Sequence, residues 1–246
     1  MNNHKNFTKR EIRFGTSLKV DGPMGVLRTE EAQCISNRRK FASIGLGVSN
    51  SRIVAANLIQ ENKAAIVSEK DIGTIIPNSD ALITRIPGIG LRIFTQDCVP
   101  IFFHDLQKTT IGIIHAGWRG IKTGIIENSI SQTEKLGIAA QNLKFVLGPA
   151  ISQCCYEIDG EEADYFLTHH PASTTRNNGK IHLSLQKIIN EKLIPLGILS
   201  QNIFTHPDCT FCARDSFGHK YFSWRRDHQI GNTHASIIII FPRSQI

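Results

Sequence analysis

A mixed α/β (α+β) domain is what the hydrophobic patterning of this chain predicts, because short β-branched runs of strand length alternate with segments of helical spacing and turn residues separate them. Residues 101–103 and 111–114 are such runs, and 105–108 between them read as the turn of a β-hairpin. Leu185, Ile188, Ile189, Leu193 and Leu196 instead recur at i, i+3, i+4, i+8 and i+11, the stripe of a core-packing helix, with Gly197 as its stop. No repeat, low-complexity segment or linker interrupts the 246 residues, and 41% of them are hydrophobic. Residues 1–246 are enough for one large domain or two small ones with a sizeable core, residues 1–20 being the least defined part.

The remaining elements fall into place along the chain. Residues 37–41 end a helix on which Arg38 or Arg39 is available to a phosphate, a solvated face being the plainer reading of Arg39 and Lys40. Residues 53–59, 64–68, 80–84 and 91–95 read as strands, the last two divided by a turn around Pro87, Gly88 and Gly90. A helix is expected after Gly120, burying Ile121, Ile125 and Leu136 and ending at Gly137. The turn His115-Ala-Gly-Trp-Arg-Gly before it offers helix-terminal N–H groups to an anion, and Trp118 reads as packing. Residues 143–147 are a strand, 159–162 an acidic helix start and 169–179 a polar surface loop. In the segment 221–227, strand alternation puts Phe222 and Trp224 on one face and Ser223 and Arg225 on the other. Of Arg225 and Arg226, one is expected to pair with Asp227 or a core acid and the other to face a pocket; a strand over 235–241 closes the chain.

Charge and cysteine usage narrow the function classes. The net charge of +7 is spread along the chain without a basic stripe interleaved with aromatics, which argues against a specific nucleic-acid partner and suits small anions such as phosphate. The first ten residues carry no apolar signal region and no run reaches membrane length, so a cytoplasmic protein away from the membrane, monomer or homodimer, is expected. Cys34, Cys98, Cys154, Cys155, Cys209 and Cys212 then read as reduced thiols. Cys209-Thr-Phe-Cys212 would need a second Cys or His pair to hold zinc, and only His206 and His219 lie near it in sequence, so it reads as a plain thiol pair. Adjacent Cys154 and Cys155 would point to opposite faces of a strand and are assigned to structure.

Chemistry concentrates between residues 95 and 120, where T-Q-D-C-V-P-I-F-F-H-D runs through the hairpin turn into I-G-I-I-H-A-G-W-R-G. Folding back at the turn brings Cys98 and His115 to one end of the hairpin. A thiolate and an imidazole can ligate zinc, given a third ligand from elsewhere. Equally, His115 can activate Cys98 as a nucleophile with no metal. A buried thiol beside a core histidine is the plain alternative, against which stand the polar, aromatic and flexible neighbours Asp97, Gly117, Trp118, Arg119 and Gly120.

These stretches, with L-G-P-A-I-S-Q-C-C-Y-E-I and Y-F-S-W-R-R-D following in order, resemble the signatures of the laccase-domain family, also called polyphenol oxidases or peptidoglycan editing factors, over residues 37–241. The resemblance implies a single domain of mixed β-sheets flanked by helices. It also implies a zinc site built from His, Cys and His, and purine nucleoside phosphorylase activity on adenosine, inosine, guanosine or methylthioadenosine, with adenosine deamination beside it. Cys98 and His115 match the second and third metal positions. At the first, where the family carries Gln-x-His-Gly, this chain reads Gln60, Glu61, Asn62, Lys63, leaving Glu61 or Asn62 in place of the ligand. Ser184 stands where an Asp is usual, Asn232 where an Arg is usual, and the Arg-x-Gly-Gly-x-Ser stretch near the start is missing.

By the resemblance Cys98, His115 and Asp97 are catalytic, Asp97 as a nearby acid/base or orienting group. Gln60, Arg38, Arg119, Arg225 and Arg226 bind a purine nucleoside and phosphate, zinc is the cofactor, and the missing ligand weakens the site. Copper fits less well, since a blue-copper site wants two His and a Cys with further copper ligands. Two other readings are a metal-free cysteine hydrolase or amidase acting on a peptidoglycan precursor, and a binding protein that keeps the pocket without turnover.

Overall fold

Every long apolar run finds a place in one of two sheets that face each other. The computed structural model describes residues 10–25 and 31–242. One sheet has the order β1-β16-β6-β2-β4, formed by β1 (Ile12–Thr16), β2 (Ile53–Ala56), β4 (Ile75–Ile76), β6 (Gly90–Thr95) and β16 (His234–Ile240). The other has the order β13-β9-β7-β8-β5-β3, formed by β3 (Ala64–Ile66), β5 (Ala81–Thr84), β7 (Val99–Asp105), β8 (Ile111–Ala116), β9 (Leu143–Leu147) and β13 (Ile203–Thr205). Both mix parallel and antiparallel pairs: β2 runs parallel to β6, while β16 runs antiparallel to it.

Side-chain alternation builds the layers. Leu82, Phe102, Ile111 and Ile113 of the six-stranded sheet meet Val54, Leu91, Ile93, Ile238 and Ile240 of the five-stranded one in a core between the sheets. The opposite face of the six-stranded sheet, with Ile83, Ile101, Phe103, Ile114 and Phe145, is covered by helices α2 (Trp118–Thr123), α3 (Ile125–Lys135), α4 (Gly160–His169) and α5 (Leu185–Leu193). The outer face of the five-stranded sheet, with Ile53, Ile237 and Ile239, packs on Ala42, Leu46 and Val48 after helix α1 (Ala32–Lys40). The molecule is thus a mixed α/β domain of four layers, as the patterning predicts. No helix among the described residues is long and apolar enough to cross a membrane.

The strands differ from expectation in places with clear causes. The helix after β8 starts at Trp118 and breaks at Gly124, whose φ of 95° only glycine adopts easily, so α2 has six residues and the buried stripe continues in α3. Residues 169–179 are no open loop: β11 (Thr174–Asn177) and β12 (Lys180–Leu183) form a hairpin, extended to a small sheet by β10 (Glu157–Ile158). A second hairpin pairs β14 (Arg214–Asp215) with β15 (Gly218–His219). Residues 221–227 are not a strand, because Ser223 Oγ accepts from Arg226 N and caps the short helix α6 (Trp224–Asp227). Of the poorly defined 1–20 segment, residues 1–9 lie outside the described ones, and the rest includes β1, which pairs with β16 over its whole length.

Candidate active site

The β7–β8 hairpin is in the register the apolar runs require, with Val99 opposite Ala116 and Pro100 opposite His115. Cys98 immediately precedes β7 and His115 lies next to the end of β8, so the two side chains come together at one end of the hairpin. Both line a cavity of about 590 Å³. Gly117 secures the contact: a Cβ there would lie 2.8 Å from Cys98 Sγ and 3.7 Å from the imidazole Cε1.

His115 is held from behind. Its Nδ1 pairs with Asp80 Oδ1 at 2.9 Å, and Asp80 is fully buried at the start of β5. The same carboxylate accepts the backbone N–H groups of Ile59, Gln60 and Glu61 at 3.2, 3.0 and 3.1 Å. One acid therefore orients the imidazole and shapes the loop that carries Gln60, which sits at a φ of 60°. Burial pushes the imidazole pKa down, but Cys98 and Asp80 beside it outweigh burial and hold it up at about 10. The motif reading missed Asp80, since its role shows only when β5 and β8 pair.

The remaining expected residues divide. Gln60, Arg119 and Arg225 line the cavity with Cys98 and His115. Arg119 Nη1 donates to Gln60 Oε1 at 3.2 Å and its guanidinium lies 4.4 Å from the Trp118 ring centroid. Arg225 donates to the Glu157 carbonyl at 2.8 Å and lies over Tyr156. Asp97 also lines the cavity, but its carboxylate is taken by Thr210 Oγ1 at 2.6 Å, Ser223 Oγ at 3.0 Å and Arg225 N at 2.8 Å. That arrangement ties three segments together and is not that of a free acid/base. Arg226 is not a pocket residue: it forks onto Asp227 and donates to the carbonyls of Thr210, Phe211 and Tyr221. Arg38 lies behind the wall, donating to the Met24 carbonyl and sitting over Phe94, whose ring faces the cavity. Trp118, expected only to pack, forms a wall of the cavity together with Tyr156 and Trp224.

The first metal position stays unfilled by protein donors. Glu61 and Asn62 are exposed and neither lines the cavity; Asn62 Nδ2 donates to the Thr123 carbonyl instead. His169 and His170 are engaged elsewhere, with the Tyr165 carbonyl and with Glu191. Among the described residues the pocket offers one thiol and one imidazole, whereas a catalytic zinc takes three protein ligands. The pocket does not fit the zinc that the resemblance implies.

A second cysteine arrangement departs from expectation. Cys154 and Cys155 lie in a turn, not a strand, with Cys155 N and Tyr156 N both donating to the Ser152 carbonyl, so adjacent thiols need not face opposite ways. They gather with Cys209 and Cys212, all four sulfurs within 4.8 Å of one another.

Fold and cavity together define a mixed α/β protein with a thiol–imidazole pair, aromatic walls and two guanidinium groups around one cavity. The chain belongs to the family described as multi-copper polyphenol oxidoreductase laccase, which matches residues 7–240. Purine nucleoside phosphorylase YlmD of Geobacillus stearothermophilus is 31% identical over 93% of this chain and 85% of its own. Adenosine deaminase RL5, from an unknown prokaryotic organism, is 29% identical over 80% of this chain and 78% of its own. The crystal structure of a hypothetical protein, YfiH, from Bacillus licheniformis superposes with a TM-score of 0.83 at 27% identity, covering 93% of this chain and 92% of that one. The resemblance read from the motifs and the fold it implies both hold.

Proposed function

We propose that the chain cleaves purine nucleosides with phosphate, the activity named for its relative from Geobacillus stearothermophilus. The observation that carries this reading is the shared cavity: about 590 Å³, within the roughly 300–1,000 Å³ of small-ligand sites, with Cys98, His115, Arg119 and Arg225 facing into it between aromatic walls. Trp224 and Tyr156 stack on the purine. Arg119 and Arg225, anchored at Gln60 and Glu157, hold the phosphate. A phosphate oxygen then forms a bond to ribose C1′ while the C1′–N9 bond breaks, its electron pair leaving with the purine. The base takes up a proton as it departs, and the Asp80-oriented His115 with Cys98 is the proton-carrying pair at hand. Adenosine, inosine, guanosine and methylthioadenosine are the substrates to compare, and adenosine deamination, the activity named for the second relative, is the side reaction to look for. With one metal position lacking, turnover is expected to be low. Incubation with inosine and phosphate should release hypoxanthine and ribose 1-phosphate, and Cys98→Ala or His115→Ala should abolish release. A folded protein that leaves all four nucleosides intact would refute the proposal.

The Asp80–His115–Cys98 chain of contacts favours a second reading, a cysteine hydrolase or amidase in which His115 activates Cys98 and Asp80 orients His115. Alkylation of Cys98 by iodoacetamide at neutral pH, unchanged by chelator, would support it. A Cys98 that resists alkylation under both conditions would exclude it.

A further inference from the structure

We propose that Cys154, Cys155, Cys209 and Cys212 form a tetrathiolate site for one zinc ion, separate from the Cys98–His115 pocket. The sequence separates the two pairs by more than fifty positions, and the fold joins them through a parallel bridge between Ala150 and Cys209, with Thr210 N donating to the Ala150 carbonyl at 3.0 Å. Each pair sits in a tight turn, the second closed by Ala213 N donating to the Cys209 carbonyl at 2.9 Å. All four cysteines are free thiols and all four sulfurs lie within 4.8 Å of one another. Cys154 Sγ and Cys212 Sγ are 3.9 Å apart. A tetrahedron with zinc–sulfur bonds of about 2.3 Å has edges of about 3.8 Å, so the cluster needs little adjustment to close around the ion.

The backbone around Cys209 suits a thiolate. Ser152 N donates to Cys209 Sγ at 3.3 Å, the arrangement that steadies a metal-bound thiolate. Arg226 donates to the carbonyls of Thr210 and Phe211, placing a positive charge against the turn that carries Cys209 and Cys212. Cys154 and Cys212 are exposed, which gives the ion a way in, and a set of four sulfurs with no oxygen donor selects zinc over magnesium or calcium. On binding, the thiols that are protonated in the free protein release their protons to solvent.

The site would be structural. Its two turns lead directly into the pocket walls: Tyr156 follows the first, and Thr210, in the second, holds Asp97. The test uses the full chain with Cys98→Ala, which removes the pocket thiol and leaves the cluster intact. Expressed with zinc, it should retain one zinc per chain after dialysis, and X-ray absorption should show four sulfur neighbours at about 2.3 Å. The double variant Cys154→Ser/Cys212→Ser, both positions exposed, should lose that zinc while wild-type protein stripped by chelator melts at a lower temperature than the loaded form. Cys98→Ala protein that retains no zinc, a sulfur count below four, or a mass showing a disulfide between any two of the four would overturn the site. None of these readouts depends on nucleoside turnover, so they stand apart from the proposed activity.

Discussion

Single atoms decide whether the thiol and imidazole meet. Gly117 has an ordinary φ of −84°, so the backbone there admits any residue, and the obstacle to a side chain is Cys98 Sγ alone. Gly117→Ala is therefore expected to cost about 1–3 kcal/mol in stability, to push the sulfur off His115 and to cut kcat at least tenfold. Steady-state kinetics on inosine beside urea unfolding checks this, and unchanged kcat would mean that the contact carries no turnover. Asp80→Asn keeps the shape but puts an amide where a carboxylate gathers three N–H groups and the imidazole. An activity loss of about 10–100-fold is expected, as for other orienting partners of a site histidine, with about 1–3 kcal/mol of stability lost because a buried donor is left unpaired. Retained activity would show that His115 needs no anchor.

At the scale of elements, two neighbouring arginines on α6 should behave in opposite ways. Arg226→Ala removes a forked ion pair, one contact to the Tyr221 carbonyl and two carbonyl contacts that join α6 to the turn at 210–211, and should destabilise the fold by about 3 kcal/mol, while Arg226→Lys, lacking the fork, restores only part. Arg225→Ala should leave the melting temperature nearly unchanged and raise the KM for phosphate. Equal effects on both parameters would undo the division. Sequence could not assign these roles, because strand alternation was read where Ser223 starts a helix. The β7–β8 hairpin was legible, since two β-branched runs flank a turn and fix both register and the Cys98–His115 meeting. The hairpin at 174–183 was hidden by its polar, exposed strand Thr174–Asn177, which carries no apolar alternation. The pocket residues Gln60, Arg119 and Arg225, on a loop and in the short helices α2 and α6, are legible through motif order, whereas Asp80 and the four-cysteine cluster depend on pairings distant in sequence that no local pattern encodes.

The whole molecule depends on the neutral form of one histidine. His234 opens strand β16, is 1% exposed, and its Nε2 accepts the Phe222 N–H at 2.9 Å, pinning the segment before α6 to the five-stranded sheet. A proton on Nε2 could be donated to the Phe222 carbonyl 3.2 Å away, but the Phe222 N–H would then lose its acceptor. Burial, outweighing the neighbouring carbonyls and Asp21, lowers the pKa from 6.5 to about 4. Above pH 6.5 the ring is neutral both folded and unfolded, and its contribution to stability is complete. Between about 6.5 and 4 the unfolded chain takes up a proton that the folded chain refuses, so stability falls with pH, and below 4 this histidine adds nothing further. The loss over that window is on the order of 3 kcal/mol, at about 1.4 kcal/mol per pKa unit. Carboxylates with lowered pKa values, such as Asp80 and Asp208, keep their contributions to lower pH, so the window belongs to histidines: His104 and His219, whose pKa values burial also lowers, act in the same sense beside His234. His234→Gln can still accept the Phe222 N–H and cannot titrate. Urea unfolding at pH 7 and pH 4.5 should therefore show a larger fall for the wild type than for the variant; parallel falls would place the acid sensitivity elsewhere in the fold.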